Sequence, residues 1–92
     1  MSVLEAPVLT RDRAHAREFL NQLPDDLNGV AIEIQFAKRA IATTSFVDEI
    51  VHELFVNRNV GHISLVNLNG SACSVAKAAS AEFGAADRLT CR

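Results

Sequence analysis

The chain has 92 residues, of which 49% are hydrophobic and 22% are charged, and its net charge is -2 at pH 7. This composition is typical of one folded domain, and it excludes a disordered chain, which would have few apolar residues and a high net charge. Basic and acidic residues are interspersed, so the chain lacks the broad positive field that binds a phosphate backbone, and nucleic acid is excluded as the main partner. We therefore predict a single domain over residues 1–92.

The sequence also indicates the cellular compartment in which we expect the protein. We see no basic start with a continuous apolar core, as a signal peptide would have, and no apolar run of the roughly 18 residues that a membrane span needs. We therefore expect a cytoplasmic protein that does not bind a membrane. Cys73 and Cys91 have neither zinc-ligand nor Cys-x-x-Cys spacing. In a reducing compartment we expect both to be free thiols.

The first third of the chain predicts a strand and a helix. Val3, Leu4, Val8 and Leu9 surround Pro7, which cannot donate a ladder hydrogen bond, so this weak strand lies at a sheet edge or begins after the proline. Thr10 is placed to cap the helix that follows. Turn-forming residues between 21 and 29 end that helix. Its apolar side chains recur at helical spacing and are Ala16, Phe19, Leu20 and Leu23.

The middle of the chain predicts a strand that is buried on one side only. In residues 30–36 apolar and more polar side chains alternate, as they do across a pleat. This alternation indicates that helices cover mainly one face of the sheet, because a strand buried on both faces would be apolar throughout. A second helix is predicted from Phe46 to about Val56, ended by asparagines and Gly61.

The last third predicts one more strand and one more helix. Residues 62–68 read as the more buried of the later strands, and the final helix runs from about Ser71 to Phe83, with Gly84 as its C-terminal cap. Residues 85–92 form either a frayed tail or a short edge strand marked by Leu89 and Cys91. The alternating order of strands and helices predicts an α/β fold with a small mixed or mostly parallel sheet and helices mainly on one face.

The loop before the second helix carries hydroxyls and carboxylates. Ser45 followed three residues later by Asp48 is similar to a capping box with aspartate in place of glutamate, and Thr44 is a competing cap. Such a cap contributes about 1 kcal/mol to stability. Capping alone would account for these side chains.

A functional interpretation uses the same geometry. A phosphoryl group on Ser45 or Thr44 would lie at the positive end of the helix and add a charge of about -1.5 to -2. A partner that docks over this turn would then meet a new anion, so binding could be switched off without refolding. Asp48 and Glu49 act against this modification, because nearby carboxylates repel a phosphate.

These residues carry a family resemblance. Residues 45–49, Ser-Phe-Val-Asp-Glu, resemble the Ser-Phe-x-Asp-Glu signature of the STAS-like family of uncharacterised bacterial domains, relatives of the anti-anti-sigma factors. Residues 32–36 are similar to that family's apolar strand, although Gln35 stands where many members have aspartate. Residues 10–14, Thr-Arg-Asp-Arg-Ala, are similar to the segment that starts its first helix. Residues 43–46 read Thr-Thr-Ser-Phe, where the anti-anti-sigma factors have Asp-Ser-Ser-Gly.

The resemblance implies a STAS-like fold and a bacterial regulatory module that binds a partner protein, without catalysis and without a cofactor. It also implies a candidate partner, an ATPase-type anti-sigma or histidine-kinase-like protein. Thr44 and Ser45 are the candidate phosphoacceptors. The predicted partner-binding residues are Thr43, Thr44, Ser45, Phe46, Asp48, Glu49 and His52.

Other functions are less well supported by the sequence. His15, His52 and His62 are scattered without metal-ligand spacing. A triad of Ser45, Asp48 and His52 fails, because seven residues of helix span roughly 10 Å. The alternative that stays open is a small structural subunit of a homo- or hetero-oligomer without a phosphorylation switch. It would pack through the polar sheet face or the alanine-rich last helix.

Overall fold

A computed structural model describes residues 2–6, 12–37 and 41–92, which form four strands and three α-helices. A π-helical segment, Glu53–Asn57, continues the second helix, and a 3-10 turn, Ala86–Arg88, precedes the last strand. In chain order the main elements are β1 Ser2–Glu5, α1 Arg13–Leu20, β2 Ala31–Gln35, α2 Thr44–His52, β3 His62–Val66, α3 Gly70–Glu82 and β4 Leu89–Cys91.

The strands lie in the sheet in the same order as in the sequence. The described strands pair in the order β1-β2-β3-β4, and each neighbouring pair is parallel. Right-handed crossovers that always step in the same direction put their helices on the same face. Accordingly, α2 packs between α1 and α3. The prediction of an α/β fold with a mostly parallel sheet and helices mainly on one face is confirmed.

Alternation along the strands separates a core face from an open face. In β2, Ile32 and Ile34 are buried under the helices, while Glu33 and Gln35 point to the open face. This confirms the one-sided burial that the sequence predicted. The largest fully buried apolar side chains of the core are Leu20, Ile32, Ile34, Phe46, Val47, Ile50, Val51, Leu54, Val60, Ile63 and Leu65.

Several predicted boundaries differ from the observed ones. Asp12 caps α1, because its Oδ1 accepts a hydrogen bond from the His15 N–H at 2.9 Å. The predicted cap, Thr10, lies outside the described residues, as does the part of the first predicted strand beyond Ala6. The first helix ends at Leu20, and Leu23 is half-buried in the following turn.

The later elements match the sequence more closely. The last helix begins at Gly70, and Gly84 follows it with a φ of +69°, a left-handed conformation that suits a glycine cap. Residues 89–91 form a short strand beside β3, which confirms the edge-strand alternative for residues 85–92. None of the helices in the described ranges is both long and apolar enough to cross a membrane.

The prediction of two free thiols is wrong. Cys73 in the first turn of α3 and Cys91 at the end of β4 form a disulfide, with their Cα atoms 6.3 Å apart. This distance lies within the usual range for bridged cysteines. Cys91, the last residue of β4, lies on the helical face of the sheet, near the start of α3. This proximity depends on the order of the strands in the sheet.

Candidate functional site

The start of α2 lies at the carboxyl edge of the parallel sheet, after the end of β2. Thr43 is its N-cap: its backbone is extended, and its Oγ1 accepts a hydrogen bond from the Phe46 N–H at 3.3 Å. The predicted capping box of Ser45 and Asp48 is therefore wrong. Ser45 is the second residue of the helix, where its backbone is already helical and cannot take the extended cap conformation.

Because Thr43 is the cap, the hydroxyl groups of Thr44 and Ser45 are available for other contacts. Thr44 is exposed and Ser45 is partly exposed. Within the part of the chain that the structure describes, neither hydroxyl takes part in a hydrogen bond. Because Thr43 caps the helix, these two hydroxyls have no capping role, and both can be reached from solvent.

Phe46 and Glu49 are buried, unlike the other predicted contact residues. Phe46 has no exposed surface and packs edge to face against Phe36, with ring centroids 6.5 Å apart. It anchors the helix start in the core, so in the folded protein a partner cannot contact it. Glu49 is 6% exposed. We therefore withdraw both side chains from the predicted contact surface.

Asp48 and Glu49 form ion pairs with α1. Arg13 Nη1 lies 2.9 Å from Asp48 Oδ2 and 3.5 Å from Glu49 Oε2. Arg17 Nε donates to Glu49 Oε1 at 2.9 Å. The hydrogen bond with Asp48 raises the pKa of Arg13 above its usual value. Two positive and two negative charges thus form a cluster with no net charge, which joins α1 to α2 beside the hydroxyl turn.

This cluster was not predicted from the sequence. One signal was present: Arg13 and Arg17 are four residues apart, so they occupy one side of a helix on successive turns. Asp48 and Glu49 on α2 are the two carboxylates with which these arginines pair. Only the packing of α1 against α2 brings them together.

The remaining predicted contact residue is His52. It is exposed, and its ring packs edge to face against Phe83, which directly follows α3, with centroids 5.5 Å apart. Because side chains four residues apart lie on one side of a helix, Thr44, Asp48 and His52 follow one another along α2. His52 lies at the far end of this line, two turns from the hydroxyls.

A residue that the sequence analysis did not single out also lies at this turn. Ile41 is 75% exposed, more than the other exposed large apolar side chains of the described residues, Val3 and Val56. The next residue, Ala42, is buried, and its N–H donates to Asn69 Oδ1 at the start of α3, at 3.1 Å. The loop is therefore tied to α3 while Ile41 faces solvent. The available signal was a bulky apolar residue in a predicted loop.

The open face of the sheet is mostly polar, and several of its side chains are bonded to each other. Arg92 Nη2 pairs with Glu33 Oε1 at 2.7 Å, and Gln35 Nε2 donates to Glu33 Oε2 at 2.8 Å. His62 Nε2 and Thr90 Oγ1 are 2.9 Å apart. This face has few polar groups left to recognise a ligand.

We find little basis for a metal or small-molecule site. No group of three or more histidine, cysteine or acidic residues among residues 2–6, 12–37 and 41–92 could hold a metal ion. A depression of about 240 Å3 lies at the carboxyl ends of β1 and β2. Its described lining offers one carboxylate and one amide, and consists of Glu5, Ala6, Gln35, Phe36 and Ala37.

Comparison with known proteins gives no assignment. No family model, no curated protein and no solved structure matches the chain. The resemblance of residues 45–49 to the STAS-like signature therefore stays a prediction from the sequence.

Proposed function

We propose that this chain is a non-enzymatic regulatory module of the STAS-like kind, which binds a partner protein at the start of α2. The contact surface, which we call the α2 turn surface, consists of Ile41, Thr44, Ser45 and Asp48. One observation carries the proposal: two hydroxyls without hydrogen bonds to the described residues lie beside a 75% exposed isoleucine. Protein interfaces commonly combine an apolar centre with a polar rim, and Ile41 with these hydroxyls offers that combination on a small scale.

The turn is held in place from beneath, which favours binding. Thr43 caps the helix, Phe46 anchors it in the core, and the Ala42 N–H is bound to Asn69. A surface that is already ordered loses less conformational entropy when a partner docks. The fixed presentation of the α2 turn surface therefore supports a recognition role.

The electrostatics of the turn are compatible with a phosphorylation switch at Thr44 or Ser45. The repulsion expected from Asp48 and Glu49 is reduced, because both carboxylates are paired with arginines of α1. A phosphoryl group would thus add its full charge to a neutral cluster at the positive end of a helix. An ATPase-type anti-sigma or histidine-kinase-like protein is the partner class that the STAS-like resemblance favours. Cytoplasmic location belongs to the same proposal.

Affinity capture from bacterial lysate with matched variants tests the proposal. We expect wild type to retain a protein that Ser45→Asp loses, because the new carboxylate must be desolvated at the interface. Ser74→Asp is the control, since Ser74 is also an exposed serine near a helix start, but on α3. Ile41→Ser should also lose the partner, whereas Val56→Ser, which alters a 50% exposed valine on the π-helical segment, should retain it.

Two outcomes contradict this function. If Ser45→Asp and Ser74→Asp capture the same proteins as wild type, the α2 turn surface is not the interface. If wild type is oligomeric by light scattering and substitution of Val3 on the open sheet face changes its mass, the structural-subunit alternative is favoured. Val3 is 54% exposed and gives that alternative its physical basis.

A further inference from the structure

The disulfide joins the two layers of the fold at the end of the sheet. Cys73 is the fourth residue of α3, and Cys91 is the last residue of the three-residue strand β4. Both cysteines are partly exposed, so a small thiol can approach them from solvent. The bond is the covalent tie between β4 and the helical layer.

Besides the pairing of residues 89–91 with residues 63–65 and the contact between His62 and Thr90, few hydrogen bonds hold β4 to the sheet. The Arg92 N–H donates to Leu65 O and the Asn67 N–H donates to Arg92 O, both at 2.8 Å. Leu89 is buried, but the Arg92 pair with Glu33 is exposed on the arginine side. Short strands at a sheet edge open more readily than the core of a fold, because few buried contacts oppose their separation.

We propose that Cys73–Cys91 is a reversible thiol–disulfide site for dithiol reductants, and that its reduction opens β4 from the edge of β3. A thiolate of the dithiol attacks one sulfur, the protein S–S bond breaks, and the displaced cysteine leaves as a thiolate that takes up a proton. The second thiol of the reductant then attacks the mixed disulfide and releases the other cysteine. Two electrons and two protons pass to the protein, and the dithiol leaves as a disulfide.

The physical effect follows from chain entropy. The two cysteines are 18 residues apart, and a cross-link of this length removes many open conformations of the segment between them. Reduction restores those conformations for β4, whereas β1, β2 and β3 stay joined over the core. The opened edge of β3 then presents unpaired backbone groups, which are the groups that an added strand recognises.

Amide hydrogen exchange, followed by NMR, tests this proposal on the wild-type chain. The air-oxidised protein is compared with protein in dithiothreitol at the same pH. After reduction we expect the Asn67 and Arg92 amides to exchange on the order of ten to a hundred times faster. The amides of Ala6 and Phe36 are internal controls, because their bonds to Gln35 O of β2 and Val66 O of β3 lie on the side of β3 away from β4. Both follow the end of a strand and open locally, away from β4, so their rates should change less than about twofold although unfolding of the whole domain becomes easier.

Cys91→Ala gives a matched control without a bond. Its exchange pattern should equal that of reduced wild type, whether dithiothreitol is present or absent. Equal rates at Asn67 and Arg92 in oxidised and reduced wild type would overturn the proposal, since β4 would then stay paired without the bond. A uniform acceleration that includes Ala6 and Phe36 would also overturn it, because the whole domain would be loosened. So would two free thiols in the air-oxidised protein, counted with a thiol-reactive dye.

Discussion

The assignment of Thr43 as the cap of α2 predicts opposite effects for two neighbouring hydroxyl residues. Thr43→Ala removes the oxygen that accepts the Phe46 N–H, so we expect the free energy of unfolding to fall by about 1 kcal/mol. For a domain of this size, that loss lowers the melting temperature by about 4–8 °C. Ser45→Ala removes no cap and places a better helix former inside α2, so stability should be unchanged or rise by a few tenths of a kcal/mol.

Urea denaturation followed by circular dichroism measures both variants, with the disulfide kept oxidised throughout. Thr43→Ser is the control, because it keeps the accepting oxygen and should stay within about 0.5 kcal/mol of wild type. The reasoning is refuted if Ser45→Ala loses about 1 kcal/mol while Thr43→Ala loses nothing. Ser45 would then be the cap, and its hydroxyl would be occupied by the helix.

Three further stability measurements test the contacts that hold the site and the fold. Glu49→Gln should lower the free energy of unfolding by about 1–2 kcal/mol, because the buried side chain loses its charged hydrogen bonds to α1. Its control, Glu18→Gln on the exposed side of α1, should change stability by less than about 0.5 kcal/mol. Equal costs for the two variants would contradict the ion-pair cluster. Arg58→Met should cost about 3 kcal/mol, because the buried guanidinium donates to the backbone carbonyl groups of Leu20, Leu23 and Pro24, at the end of α1 and after it. An effect no larger than that of Lys77→Met would contradict this role. Cys73→Ala should have a free energy of unfolding about 3 kcal/mol below that of the oxidised wild type and nearly equal to that of the reduced wild type. Equal stability of oxidised and reduced wild type in urea would contradict a stabilising role of the disulfide.

Features that are set by residues close together in the chain could be predicted from the sequence. The alternation in residues 30–36 predicted both the strand and the face that meets the helices, because the pleat sends successive side chains to opposite sides. Gly84 predicted the end of α3 for a similar local reason, since its backbone requires a positive φ. In each case the constraint lies within a few residues of chain.

Features that depend on the packing of one helix or strand against another could not be predicted from the sequence. Thr43, Thr44 and Ser45 can each cap a helix, and the choice among them is set by the burial of Phe46 in the core. The ion-pair cluster needs α1 and α2 to pack side by side. The disulfide needs β4 to take the edge position beside β3, which the spacing of Cys73 and Cys91 does not reveal.

The central claim is that a partner docks at the start of α2, and site-specific photo-crosslinking tests it most directly. A photoreactive amino acid is placed at Thr44 on the α2 turn surface, at Lys77 on α3, or at Val3 on the open sheet face, all of which are exposed. We predict a crosslinked protein adduct from position 44 that is absent from positions 77 and 3. Adducts from position 3 alone, or the same adducts from all three positions, would contradict the claim.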